Sequence, residues 1–262
     1  MKVRTYVVAM ACTSITAVAL ASSVAAATVP VVPGAAISAG KPIIGTGQNL
    51  PSLNATSPWD IGPFPASQIN AYYNSGAAAA DQASVTRAAL TWTKTWVKHT
   101  CGSLKPKQVT ACKAAAVFDI DDTLLSSVPV LAALPAPFTF DVGVYATSVQ
   151  NCTTPVIAPT LALYNSLKAL GVTPFLITGR GESERAATEQ CLAKVGITGY
   201  GELILKPAGN TQIATDRKAE QRHALMKQGW KIGPSIGDQI SDMAHGYLAR
   251  GFLLPNVMYY LP

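Results

Sequence analysis

The chain has 262 residues, 13% of them charged and 49% apolar, with a formal net charge of +6. That length allows one domain, or one domain with a small accessory piece, and the apolar share excludes a chain that is disordered throughout. The mild positive excess contains no basic run, which argues against a nucleic-acid polymer as partner; the composition also excludes collagen, coiled coil and a polytopic membrane protein.

Residues 1–27 read as a secretory signal. Lys2 and Arg4 form a charged start, an apolar run follows from Tyr6 to about Leu20, and small residues lead to Ala25-Ala26-Ala27. An uncleaved anchor is the alternative, but the Ala, Ser and Thr content favours cleavage, giving a secreted chain without membrane attachment. Without Lys2 and Arg4, the 20 Lys and Arg become 18 against 14 Asp and Glu, a net +4.

Residues 28–66 hold seven prolines, five glycines and two charged residues. They read as an extended Pro/Gly/Ala-rich linker. A helix is expected from about Ser67 to His99, where Val85, Ala89, Trp92 and Trp96 share one apolar face. Four cysteines follow the signal: Cys101, Cys112, Cys152 and Cys191. An even count in an exported chain suggests two disulfides. Cys101 and Cys112 flank a short Gly-, Ser- and Pro-containing turn and are the natural local pair, which leaves Cys152 with Cys191. Metal ligation by these cysteines is the rival, but no C-x-x-C is present and the three histidines are scattered.

From Ala114 the pattern alternates between strands and helices. Strands are expected at 114–120, 172–177, 202–205, 232–236 and 251–254, and helices at 160–170, 182–195 and 216–228. Gly171, Gly196 and Gly229 close the helices. Such alternation implies an α/β sandwich around a mostly parallel sheet, with chemistry beyond the carboxyl ends of its strands. The segment at about 126–158 is too long for a simple crossover and carries Phe138, Phe140 and Tyr145. It is expected to form a small cap whose rings either stack on a base or phenyl group or pack the cap itself.

Three strand ends carry polar clusters. Val117-Phe118-Asp119-Ile120-Asp121-Asp122-Thr123 ends the first strand in acids. Asp119 and Asp121, two apart on extended backbone, point the same way. Their repulsion calls for a compensating cation, and Mg²⁺ suits a few protein oxygens plus substrate phosphate. Phe175-Leu176-Ile177-Thr178-Gly179-Arg180 follows, with a hydroxyl, a glycine permitting close approach, and a helix expected directly after to hold an anion. Ser235-Ile236-Gly237-Asp238 ends a third strand, and a helix beginning there would place Asp238 and Asp242 on one face. Lys218 stands near the start of the preceding helix. Arg180 reads equally as a substrate contact or a salt-bridge partner, Asp122 as a solvated acid, and His99, His223 and His245 as structural or exposed.

In this order, the four pieces resemble the motifs of the haloacid dehalogenase superfamily of phosphatases. They are closest to its acid phosphatase branch, subfamily IIIB, which includes plant acid phosphatases and vegetative storage proteins. Phe118–Leu125, Phe175–Arg180 and Gly237-Asp238-Gln239-x-x-Asp242 carry the resemblance, and the spacing of Arg222, Leu225, Gly229 and Trp230 adds to it. Asp122 stands where the branch usually has Glu, and Arg217-Lys218-Ala219 where plant members have Tyr-Lys-Ser. Lys206 is therefore a rival to Lys218.

The resemblance covers the chain from about Ser67 to its end. It implies a Rossmann-like three-layer sandwich with a small cap and an N-terminal helical extension, making a 67–262 phosphatase domain. It also implies Asp119 as nucleophile, Asp121 as acid and base, Thr178, Gly179 and Lys218 on phosphate, and Asp119, Asp121, Asp238 and Asp242 around Mg²⁺. The substrate would be a small phosphomonoester. A nucleotidase, a phosphotransferase and a non-catalytic storage or binding protein on the same fold are the alternatives.

Overall fold

The computed structural model describes residues 64–259 and the pair Ile43–Ile44; the signal at 1–27 and nearly all of the linker fall outside the described residues. In chain order the elements are β1 (Ile43–Ile44), α1 (Ala66–Asn74), α2 (Ala77–Cys101), α3 (Pro106–Ala111), β2 (Ala114–Phe118), α4 (Val128–Ala132), α5 (Val142–Asn151), α6 (Ala158–Ala169), β3 (Thr173–Gly181), α7 (Arg185–Lys194), β4 (Leu203–Lys206), α8 (Ala214–Lys227), β5 (Lys231–Gly237) and β6 (Arg250–Leu253). The strands form one parallel sheet in the order β1-β6-β5-β2-β3-β4. Two residues of the expected linker thus pair with the β6 edge.

Strand β2 shows why the sheet sits in the middle of three layers. Ala114, Ala116 and Phe118 enter one apolar cluster with Leu163, Leu167 and Leu192 from α6 and α7. Ala115 and Val117 enter a second with Leu225 of α8. A strand buried on both faces must be apolar at every position, and all five residues of β2 are buried. Opposite β2, the Gly233-Pro234 step of β5 shifts the register between Ala115 and Val117, because proline has no N–H for the ladder.

Two expectations need correcting. The single helix predicted over 67–99 forms as α1 and α2, because Gly76 turns the chain with φ 84°, a conformation that suits glycine. The strand predicted at 172–177 runs on to Gly181, so no helix starts directly after Gly179.

The cap enters and leaves the sandwich through a narrow neck. Ser126 N donates to the Pro155 carbonyl (2.8 Å) and Ile157 N to the Leu124 carbonyl (2.9 Å). Between these points α4 and α5 lie over the strand ends. Leu131, Leu134 and Phe138 pack with Ile69 of α1 and with Val257, Met258 and Tyr259. Phe138 is therefore a core residue of the cap.

Both expected disulfides are present. Cys101–Cys112 closes the turn after α2, and Cys152–Cys191 ties the end of α5 to α7. The second closes a separation of 39 residues. Replacing Cys152 and Cys191 together with serine should lower stability by roughly 3–4 kcal/mol on the chain-entropy account. Denaturant unfolding under non-reducing conditions reads this; a loss under about 1 kcal/mol would show that the bridge adds little to the folded state.

Candidate active site

Chain order places β3 and β4 on one side of β2 and β5 and β6 on the other. The sheet therefore reverses its winding beside β2, where open α/β sheets leave a crevice at their carboxyl ends. Register aligns the ends: Phe118 pairs with Leu176 on one side and Ile236 on the other, and Asp119 N donates to the Ile236 carbonyl at 3.0 Å. Asp119, Thr178 and Asp238 thus arrive together at the rim.

Asp119, Asp238 and Asp242 are all buried, and one carboxylate oxygen from each lies within 4.8 Å of the others. Lys218, itself 5% exposed, donates to Asp119 at 2.9 Å and to Asp242. Asp238 accepts from Thr123 Oγ1 (3.1 Å), Gln239 Nε2 (2.6 Å) and Asn256 Nδ2 (2.7 Å). Three acids thus face one lysine. Burial, opposed by Lys218, pushes the Asp119 carboxyl up to about 7. Burial together with the Asp119 and Asp242 charges pushes Asp238 well above the usual carboxylate range. Burial works against charge on Lys218, but the two flanking aspartates outweigh it and raise its pKa. Clustered carboxylates with a net negative balance and only oxygen donors fit a hard divalent cation.

The loop after β5 differs from the helix expected there. A 3-10 turn at Ile240–Asp242 curls back so that Asp242 Oδ2 accepts from Gln239 N at 3.0 Å. It passes so close to Gly237 that an added Cβ would sit 2.0 Å from Asp242 Oδ2. Glycine is required there by contact. Arg222 of α8, fully buried, fixes the same loop by donating to the Asp242 (2.9 Å), Ala244 and Gly246 (3.0 Å) carbonyls.

Asp121 lies outside the acid trio. Arg180 grips it with Nε at 3.0 Å and Nη2 at 2.7 Å, and the Tyr145 hydroxyl donates to it at 3.0 Å. Burial alone would raise the Asp121 carboxyl, but the Arg180 charge and these hydrogen bonds hold it below its usual range. Arg180 is thus a salt-bridge partner. Asp122, expected in solvent, is buried and accepts from Ser127 N (2.9 Å), Ser127 Oγ (2.5 Å) and Tyr259 OH (2.6 Å). Burial lifts it to about 6.

A cavity of about 790 Å³ opens onto these groups. Asp119, Asp121, Gly179, Lys218 and Asp238 line it, with Phe140 and Tyr145 on the cap side. Lys218 is the fifth residue of α8, beyond the first turn, and its bonds to Asp119 and Asp242 distinguish it from Lys206. Lys206, at the end of β4, lines the cavity wall. Thr178 is buried, its Oγ1 accepting from Arg180 N at 3.1 Å. An added Cβ at Gly179 meets no atom, so packing does not require glycine there. His223 stacks on Tyr247, and His245 lies 3.4 Å from Asp216. Sequence reasoning missed Ser127, Asn256 and Tyr259.

A parallel Rossmann-like sandwich whose central strand ends in a buried acid cluster faced by a lysine defines an α/β protein with a buried charged centre at the carboxyl edge of its sheet. The chain belongs to the haloacid dehalogenase (HAD) superfamily, subfamily IIIB (acid phosphatase), whose family model matches residues 49–262. It is 37% identical over 153 residues to vegetative storage protein 1 of Arabidopsis thaliana, covering 56% of this chain and 55% of that one. It is 36% identical over 148 residues to acid phosphatase 1 of Solanum lycopersicum, covering 55% and 58%. The chain thus matches little more than half the length of these relatives. The class C acid phosphatase of Bacillus anthracis shares the fold, with a TM-score of 0.53 at 17% identity over 68% of this chain and 70% of that one.

The acid cluster sets a pH dependence for the metal-free protein. In the unfolded chain aspartates lose their protons near pH 4, whereas folded Asp119 keeps its proton to about 7. Between those values the folded state binds more protons, so stability falls as pH rises. The depressed Asp121 acts oppositely, but only below that window, where its ion pair is lost as pH falls. After EDTA treatment the melting temperature should be higher at about pH 5.5 than at about pH 7.5, and saturating Mg²⁺ should raise it more at the higher pH. Equal melting temperatures at both values would contradict the raised carboxyls.

Proposed function

We propose that this chain is a secreted, Mg²⁺-dependent acid phosphatase that hydrolyses small phosphomonoesters through an aspartyl-phosphate. What carries the reading is the meeting of Asp119, Asp238, Asp242 and Lys218 at the switch point of the sheet, with Asp119, Asp238 and Lys218 lining one cavity. Secretion is supported by the two disulfides and by relatives named vegetative storage protein and stem glycoprotein.

Asp119 attacks phosphorus; the bond to the leaving oxygen breaks, and Asp121 gives that oxygen its proton. In the second step Asp121 takes a proton from water, the water oxygen attacks phosphorus, and the Asp119 carboxylate leaves with phosphate released. Thr178, the Gly179 backbone and Lys218 hold the phosphoryl oxygens and stabilise their charge. Asp119, the Asp121 main-chain carbonyl and Asp238 would hold Mg²⁺, supported by Asp242. When bound, the ion neutralises charge on the phosphoryl oxygens. Tyr145 and Arg180 orient Asp121.

Asp119→Asn removes the attacking oxygen and should abolish turnover of an aryl phosphate while the fold, read by circular dichroism, stays intact. Wild-type activity in that variant would remove the nucleophile assignment. Failure of the wild-type chain to release phosphate from nucleotides, sugar phosphates and aryl phosphates alike, with Mg²⁺ present, would favour a storage or binding protein on this fold.

An acid optimum is expected because Asp121 must carry a proton to donate it, while the acids holding the ion must stay ionised. Arg180 favours ionised Asp121. Arg180→Gln should therefore raise the Asp121 pKa and move the alkaline limb of kcat/KM toward higher pH. Exhaustive EDTA dialysis should stop turnover. An optimum above about pH 8, a limb that moves downward, or full activity without metal would each count against these roles.

A further inference from the structure

We propose that Arg217 is a second cationic arm of the phosphate site, its Nη1 donating to an oxygen of the bound phosphoryl group beside Lys218. This rests on the phosphatase reading above and extends it to a residue to which the sequence motifs gave no role.

Arg217 lies on α8 and is 2% exposed, yet it lines the same cavity as Asp119, Gly179 and Lys218. Its Nη2 donates to the Thr178 carbonyl at 2.9 Å, which fixes the guanidinium at the end of β3. Its Nη1 is buried and has no hydrogen-bond partner among the described residues. Among the described residues no carboxylate lies within 4.0 Å of it. The nearby acids Asp119 and Asp242 are engaged by Lys218.

A buried guanidinium without a directly bonded anion, with one donor unmet, is costly, and buried cations are ordinarily paired. Arg222, five residues further along the same helix, shows what a purely structural arginine does here. It is equally buried, and its Nε, Nη1 and Nη2 all end on carbonyls. Arg217 leaves a donor unmet at the one place where a dianion is expected. Its fork can hold the Thr178 carbonyl with one nitrogen and a phosphate oxygen with the other, a geometry that the point charge of a lysine lacks.

The test is calorimetric binding of inorganic phosphate, with Mg²⁺ present, to the wild-type chain, Arg217→Gln and Arg217→Lys. Glutamine keeps a donor for the Thr178 carbonyl but removes the charge. Arg217→Gln should weaken phosphate binding at least about tenfold, as for a charge-assisted hydrogen bond, and raise KM for an aryl phosphate in parallel. Arg217→Lys should restore part of the affinity. A folded Arg217→Gln whose phosphate affinity stays within about twofold of wild type, even with a lowered melting temperature, would make Arg217 a strut and overturn the proposal. Should that variant fail to fold, a crystal structure of the wild-type protein with phosphate decides. Nη1 about 2.7–3.2 Å from a phosphate oxygen supports the assignment, and a bound phosphate that leaves Nη1 unbonded overturns it. Wild-type protein that neither binds phosphate nor hydrolyses aryl phosphate would overturn the phosphatase reading and this proposal together. Intact turnover with an unaffected Arg217→Gln would overturn this one alone.

Discussion

One ammonium among three buried carboxylates governs this end of the molecule. Lys218 touches Asp119 and Asp242, while Asp238 stands close by with no ion-pair partner among the described residues. Removing Lys218 would leave the buried carboxylates uncompensated, at a typical cost of about 3–5 kcal/mol. Such a centre is weak evidence of stabilisation and better evidence of use, because an apolar trio of similar volume would satisfy the fold at least as well. The imbalance that makes the site unfavourable when empty is the same imbalance that favours a divalent cation.

The rest of the carboxyl edge holds these charges in place. The sheet register sets Asp119 against the Ile236 carbonyl. Gly237 lets the following turn fold back, and Arg222 collects three carbonyls of the loop that carries Asp242. Asn256 bonds Asp238 with its Nδ2 and accepts from Met258 N with its Oδ1, so the C-terminal segment reaches under the acid cluster. Apart from the Arg222 guanidinium, these contacts use backbone or a neutral amide, which fixes geometry without adding further negative charge to a region that is already unbalanced.

The central part of this arrangement was legible in the sequence because its signals are local. An apolar run ending in Asp-x-Asp is a strand followed by same-side acids, and β2 is that strand. Cys101 and Cys112 stand 11 residues apart around a turn, and they pair. What escaped depends on chain separation or on backbone detail. Asn256 meets Asp238 across 18 residues, and Tyr259 meets Asp122 across 137; no periodicity encodes either contact. The 3-10 turn that ends at Asp242 escaped because four-residue spacing suits an α-helix as well. The break between α1 and α2 had a visible cue in Asn74-Ser75-Gly76, which the apolar face of the helix beyond it outweighed.

Among the described residues, the cap reaches Asp121 through the Tyr145 hydroxyl. Asp121 is gripped from the sandwich by Arg180 and from the cap by Tyr145, and the two contacts differ in kind. Arg180 is buried, charged and braced by Thr188 at 3.2 Å, so its hold on Asp121 does not depend on the cap. Tyr145 sits on α5, a helix joined to the sandwich by the neck at 124–126 and 155–157 and by the bridge from Cys152 to α7. Any tilt of α5 changes the Tyr145 contact before it changes the Arg180 pair. The orientation of Asp121 is therefore coupled to the seating of the cap, and Phe140, 5.8 Å from the Tyr145 ring and on the same cavity wall, is placed to sense what fills the space between them. The side chain that holds Asp121 from the cap thus also forms part of the cavity wall.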